Sequence, residues 1–132
     1  MEYYSVTLRG IRNAQINHVI KEILHIRQAD MLNSILYAED IGNYQYTDET
    51  DLCACCTGAF TAVFHAKQAV FHRPYERVLC MIERNDYGTL DLECSIAAQD
   101  FPASEIPALN AWLSKLHDEH IITDAEIAED YE

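Results

Sequence analysis

Polar and apolar residues alternate at the start of the chain. Tyr4, Val6 and Leu8 fall on one side and Tyr3, Ser5 and Thr7 on the other, the two-residue period of a half-buried strand ending near Gly10. From Asn13, a candidate cap, the period lengthens: Ile16, Val19, Ile20, Ile23, Leu24 and Arg27 follow helical spacing, with Lys21 and Glu22 facing out. Met31, Leu32, Ile35 and Leu36 extend the apolar pattern past the weak interruption Gln28-Ala29-Asp30 until Gly42 ends it, and this stretch too is read as helix.

Residues 39–51 are polar and acidic and have no apolar period to bury, which predicts a surface loop. Beyond it, Leu52, Cys56, Ala59, Val63, Ala66 and Val70 form one stripe, widened by Phe60, Phe64 and Phe71. The expectation is a central helix stopped by Pro74; two short strands over 59–72 are the competing reading, because Phe, Val and Thr are dense there. Next, Arg77 to Glu83 and Thr89 to Ala97 flank Asn85-Asp86-Tyr87-Gly88, the pattern of a hairpin. If Asn85 faces Thr89, then Cys80 faces Cys94. Val78, Cys80, Ile82, Leu90, Leu92, Cys94 and Ile96 then share the core side, and Arg77, Glu83, Asp91, Glu93 and Ser95 share the wet side.

After Pro102, with Ser104 as candidate cap, Ile106, Leu109, Trp112, Leu113 and Leu116 mark a helical stripe. Thr123 with Glu126 gives a capping-box pattern for a short last helix over 125–130. The pattern predicts a single α+β domain over residues 1–132. Its antiparallel sheet is the N-terminal strand plus a 77–97 hairpin, packed on one face by three to five helices.

Charge changes the picture most. The chain carries 22 Asp and Glu against 9 Lys and Arg, a formal net charge of -13 in 132 residues. The imbalance is regional: no Lys or Arg lies between Gln28 and Ala66, and after Arg84 the only base is Lys115. Like charge at that density weakens the compact state, so the acidic surface points to a cationic partner. Contact with nucleic acid itself is disfavoured, because phosphates need clustered Lys and Arg and the few here are scattered. The segment 1–4 lacks the basic start and apolar core of a secretion signal, and no apolar run nears the roughly 18 residues a membrane helix needs. A cytoplasmic protein is expected, in keeping with five cysteines, of which Cys53, Cys55 and Cys56 lie too close together for a disulfide framework.

Candidate chemistry is thin. Cys53 and Cys56 have CxxC spacing, but the acidic residues just before them oppose thiolate formation. A zinc site lacks a second short-spaced ligand pair, since Cys80 and Cys94 read as core positions and His65 and His72 stand seven apart. His18 with His25, and His117 with His120, also have helical spacing and read as surface pattern. No phosphate-cradling glycine loop, GxSxG elbow or HExxH helix is present. No cofactor or metal and no enzymatic activity is expected; the alternative is a small metal-binding or thiol-redox enzyme using Cys53–Cys56 with His65 or His72.

Small, acidic and poor in motifs, the chain resembles in profile the phage-encoded inhibitors of host defence, among them anti-CRISPR and anti-restriction proteins, and the toxin-immunity proteins. That resemblance implies a stoichiometric inhibitor engaging a basic protein that handles nucleic acid, in the manner of a nucleic-acid mimic. The expected contact residues are Glu39, Asp40, Tyr44, Tyr46, Asp48, Glu49 and Asp51 in the acidic segment, and Asp118, Glu119, Asp124 and Glu126 near the end of the chain.

Overall fold

The computed structural model describes residues 2–27, 31–38, 42–45, 58–84 and 89–131. Seven strands dominate it: β1 (Glu2–Arg12), β2 (Met31–Ala38), β3 (Gly42–Tyr44), β4 (Phe60–Val70), β5 (Pro74–Arg84), β6 (Thr89–Ala97) and β7 (Asp124–Tyr131). They form one antiparallel sheet in the order β3-β2-β4-β5-β6-β1-β7. Two helices lie on one face. The first, α1 (residues 13–23), runs from a 3-10 turn through one α turn into a π turn. The second, α2, spans Ile106–Asp118.

The expected sheet of an N-terminal strand plus a 77–97 hairpin, covered by three to five helices, is therefore corrected: three segments read as helix are strands. In β4, Phe60, Ala62, Phe64 and Ala66 are buried while Thr61, Val63, His65 and Lys67 face outward, so the true period is two. The competing reading of two short strands over 59–72 has the right period, but the segment forms one strand of 11 residues, Phe60–Val70. In β2, Leu36 and Ala38 are buried while Ile35 and Tyr37 face outward, so Ile35 and Leu36, assigned to one helical stripe, point to opposite faces. The Thr123 capping box is the third case. The Thr123 N–H and hydroxyl both donate to the Arg9 carbonyl, at 2.9 and 3.3 Å, so the residue is pinned to β1 and the chain continues extended as β7.

Other expectations hold. β1 keeps its alternation to a bulge between Leu8 and Ile11, where Gly10 adopts φ +71 and donates its N–H to Asp91 Oδ1 at 3.1 Å. The hairpin has the expected register: Cys80 opposes Cys94, and Val78, Cys80, Ile82, Leu90, Leu92, Cys94 and Ile96 are all fully buried. Its turn, 85–88, lies outside the described residues. α2 buries Leu109, Leu113 and Leu116 as its stripe predicts. Its cap position is Glu105, with no side-chain capping bond; Ser104 lies inside the preceding 3-10 turn. Asn13 likewise lies one residue inside α1, behind Arg12. The core between helices and sheet joins Ile16, Val19, Ile20 and Leu24 to the inward residues of β1, β4, β5 and β6.

Candidate functional site

Both helices pack on one face of the sheet, which leaves the opposite face without a helix among the described residues. Directly opposed residues of antiparallel strands point the same way, so the register lays out that face in rows. The central row is Ile35–Val63–Met81–Glu93–Thr7–Glu126, one residue from each of β2, β4, β5, β6, β1 and β7. At about 4.8 Å per strand it spans about 24 Å. Above it lies Tyr37–Thr61–Glu83–Asp91, and below it His65–Leu79–Ser95–Ser5–Ala128. The face is thus divided. Its β2–β5 side is apolar, with Ile35, Tyr37 and Leu79 exposed to 39, 44 and 36%; its β5–β7 side is acidic.

The acidic side is only partly neutralised. Arg9 binds Glu126 at 2.7 Å and Asp124 at 3.8 Å, and its guanidinium is held more firmly protonated, first by the Glu126 hydrogen bond. Glu83, Asp91 and Glu93 have no ion-pair partner among the described residues. Glu83 directly opposes Asp91, an arrangement of like charges that costs stability. Two depressions lie side by side here and share Ser5 and Glu93. One, of about 280 Å³, is bounded by Arg9, Met81, Glu83, Asp91 and Glu126; the other, of about 390 Å³, by Tyr3, His65, Arg77, Leu79 and Asp100.

A second polar cluster has a different character. Where β4 turns into β5, the Glu105 carboxylate accepts from His72 Nε2 at 2.8 Å and Arg73 Nε at 3.1 Å, while the Tyr75 hydroxyl lies 2.9 Å from the same His72 nitrogen. The Arg73 guanidinium stacks 4.0 Å over the Tyr75 ring and donates to the Asp100 carbonyl. The His72 hydrogen bond, then Arg73, holds the Glu105 carboxyl below its usual range; burial pushes the Tyr75 phenol up to about 12. These contacts tie the turn to the start of α2, although the buried His72 Nδ1 has no hydrogen-bond partner. This arrangement is a clamp.

The structure separates His65 from His72. His65 sits within β4 on the open face, while His72 lies past the end of β4 in the turn, in the clamp. His120 adopts φ +61 just past α2, where the Ile121 and His120 N–H groups donate to the Leu116 and His117 carbonyls, both at 3.0 Å. That is a Schellman helix stop, with histidine in the place glycine usually takes. His25, at φ +52, ends the first helical segment in a related way, the Ile26 N–H reaching the Ile20 carbonyl across the wider π turn. No group of metal-ligating side chains comes together among the described residues.

Of the expected contact residues, Glu39, Asp40, Tyr46, Asp48, Glu49 and Asp51 lie outside the described residues, as do Cys53 and Cys56. Tyr44 ends β3, which interrupts the expected loop and pairs Tyr44 with Leu36. Asp118 and Glu119 are exposed at the end of α2, while Asp124 and Glu126 stand on β7 and pair with Arg9. Glu83, Asp91 and Glu93 were read as the wet side of the hairpin and not as a site. Their two-residue spacing was visible, but their convergence with β1 and β7 depends on strands distant in sequence.

The chain matches no protein-family model and no curated protein. In fold it is similar to a chain of the 1.75 Å crystal structure of the toxic C-terminal tip of CdiA from Pseudomonas aeruginosa in complex with immune protein. The likeness has a TM-score of 0.66 at 12% identity, over 90% of this chain and 81% of that one. At that identity it shows a shared fold. No helix among the described residues is long and apolar enough to cross a membrane.

Proposed function

We propose that this chain is a stoichiometric inhibitor of the toxin-immunity type, a binding protein that acts in the cytoplasm by occupying a basic protein that handles nucleic acid. The fold likeness carries this reading: the same architecture over 90% of the chain occurs in a structure that pairs a toxic tip with an immune protein. Of those two roles, the net charge of -13 supports the inhibitor, because carboxylates can meet the Lys and Arg that otherwise hold phosphates. An enzyme using Cys53–Cys56 with His65 or His72 is disfavoured, because His65 and His72 stand apart and the clamp consumes the polar atoms of His72 Nε2, Tyr75 and Glu105. The test is co-expression in a bacterial host with a panel of basic toxin tips, including that of Pseudomonas aeruginosa CdiA. The reading expects growth to be restored against at least one tip, with a 1:1 complex on purification. Failure to neutralise any basic tip would overturn it.

A further inference from the structure

We propose that the open face of the sheet is the docking surface, and that the basic partner sets Lys or Arg side chains over Glu83, Asp91 and Glu93 while its apolar side chains seat against Ile35, Tyr37 and Leu79. This inference rests on the inhibitor reading and moves its contact site from the 39–51 segment to the sheet.

Three observations support the assignment. All three exposed large hydrophobics of the described residues, Ile35, Tyr37 and Leu79, stand on this one face. A contiguous apolar patch beside a polar one is the anatomy of a protein interface. Second, Glu83 faces Asp91 across the hairpin; Asp91 is held by the Gly10 N–H and lies near Arg9, whereas Glu83 and Glu93 have no ion-pair partner among the described residues, so their charge is left for a partner to meet. Third, the uncompensated charge adjoins the apolar patch in register, Met81 next to Glu93 and Thr61 next to Glu83, so one partner surface can engage both. A second copy of the chain fits poorly, since each brings a net charge of -13 to the contact.

The charge-reversed variant Glu83→Lys/Glu93→Lys and the apolar variant Tyr37→Ser/Leu79→Ser test this against Asp118→Lys/Glu119→Lys, which reverses the same number of charges off the face. Two readouts keep the two readings apart. The first is an amide NMR titration with the synthetic peptide Arg-Leu-Arg-Leu-Arg-Leu as probe; the second is growth protection against the tip neutralised in the panel. The peptide should perturb amides of β4, β5 and β6, and both face variants should weaken its binding at least about tenfold, the scale of one lost charge pair or anchor. The off-face variant should change it less than about twofold. Glu83→Lys alone should melt no lower than the parent, which a structural role for Glu83 would not allow. Equal binding by parent and face variants, perturbations centred on the end of α2, or a parent dimer that buries Leu79 would each overturn the proposal. If peptide mapping succeeds and no tip is neutralised, the inhibitor reading alone fails; if a tip is neutralised equally by the face variants, the docking assignment alone fails.

Discussion

Replacing Cys80 by Asp places a carboxyl at a fully buried position whose neighbours across the strands are Phe64 and Cys94, both fully buried, with the Cys94 sulfur 3.9 Å from that of Cys80. No cation stands near, so the carboxyl must stay protonated in the folded state. With an unfolded pKa near 3.9, holding the proton at pH 7 costs about 4 kcal/mol, three pK units at about 1.4 kcal/mol each. The protonated group also gives up its bonds to water, which adds about 1–3 kcal/mol. The sum, about 5–7 kcal/mol, rivals the whole stability of an ordinary domain. Cys80→Val, which keeps the site apolar, should cost no more than about 1.5 kcal/mol. The cost also has a pH signature. Between pH 4 and 7 the unfolded Asp releases its proton and the folded one keeps it, so the deficit relative to the parent should grow by up to about 1.4 kcal/mol per pH unit. Urea unfolding of parent, Cys80→Val and Cys80→Asp at pH 4.5 and pH 7 reads this directly. A Cys80→Asp deficit under 2 kcal/mol at pH 7, or one that does not change with pH, would refute the buried pairing of β5 and β6.

Three further outcomes follow from the backbone and the clamp. His120→Gly should raise stability by up to about 1 kcal/mol in thermal unfolding, because glycine adopts the left-handed helix-stop conformation without a Cβ penalty. Gly10→Ala should cost roughly 2–4 kcal/mol, since φ is +71 and the added carbon would run into the Thr123 side chain, 2.8 Å from its Cγ2; a double-mutant cycle with Thr123→Gly should show that coupling. Because the folded Glu105 carboxyl is held below its usual range, its stabilisation is complete above the ordinary carboxylate pKa and is lost as pH falls through the lowered value. Glu105→Gln should therefore flatten the acid limb of a melting-temperature profile measured below about pH 5, and an unchanged limb would contradict the clamp.

The elements legible in the sequence are those with one wet face. β1 and the 77–97 hairpin alternate cleanly because Thr7, Glu83, Asp91 and Glu93 are polar where they face outward and Ser5, though buried, is polar too, and the Cys80 to Cys94 register follows from the turn. β2 and β4 were misread because their outward residues include Ile35, Tyr37 and Val63, which turns alternation into continuous apolar runs that mimic a buried helix. The same outward apolarity makes that half of the open face a candidate contact surface, so the misreading and the site have one cause. β7 was hidden for another reason: the bonds that hold Thr123 to Arg9 bridge residues far apart in sequence, and the local capping pattern pointed elsewhere. The acidity was plain from composition, but which carboxylates converge depends on strand order, and the order β5-β6-β1-β7 brings the two ends of the chain together.

The most direct test of the account is a titration of toxin activity against added chain, using the tip neutralised in co-expression and a tip concentration well above the dissociation constant. A stoichiometric inhibitor predicts activity that falls linearly and reaches zero at one equivalent, independent of the time of incubation. Activity that persists beyond several equivalents, or that disappears at a small fraction of one equivalent and continues to fall with time as a catalyst would make it, contradicts the account.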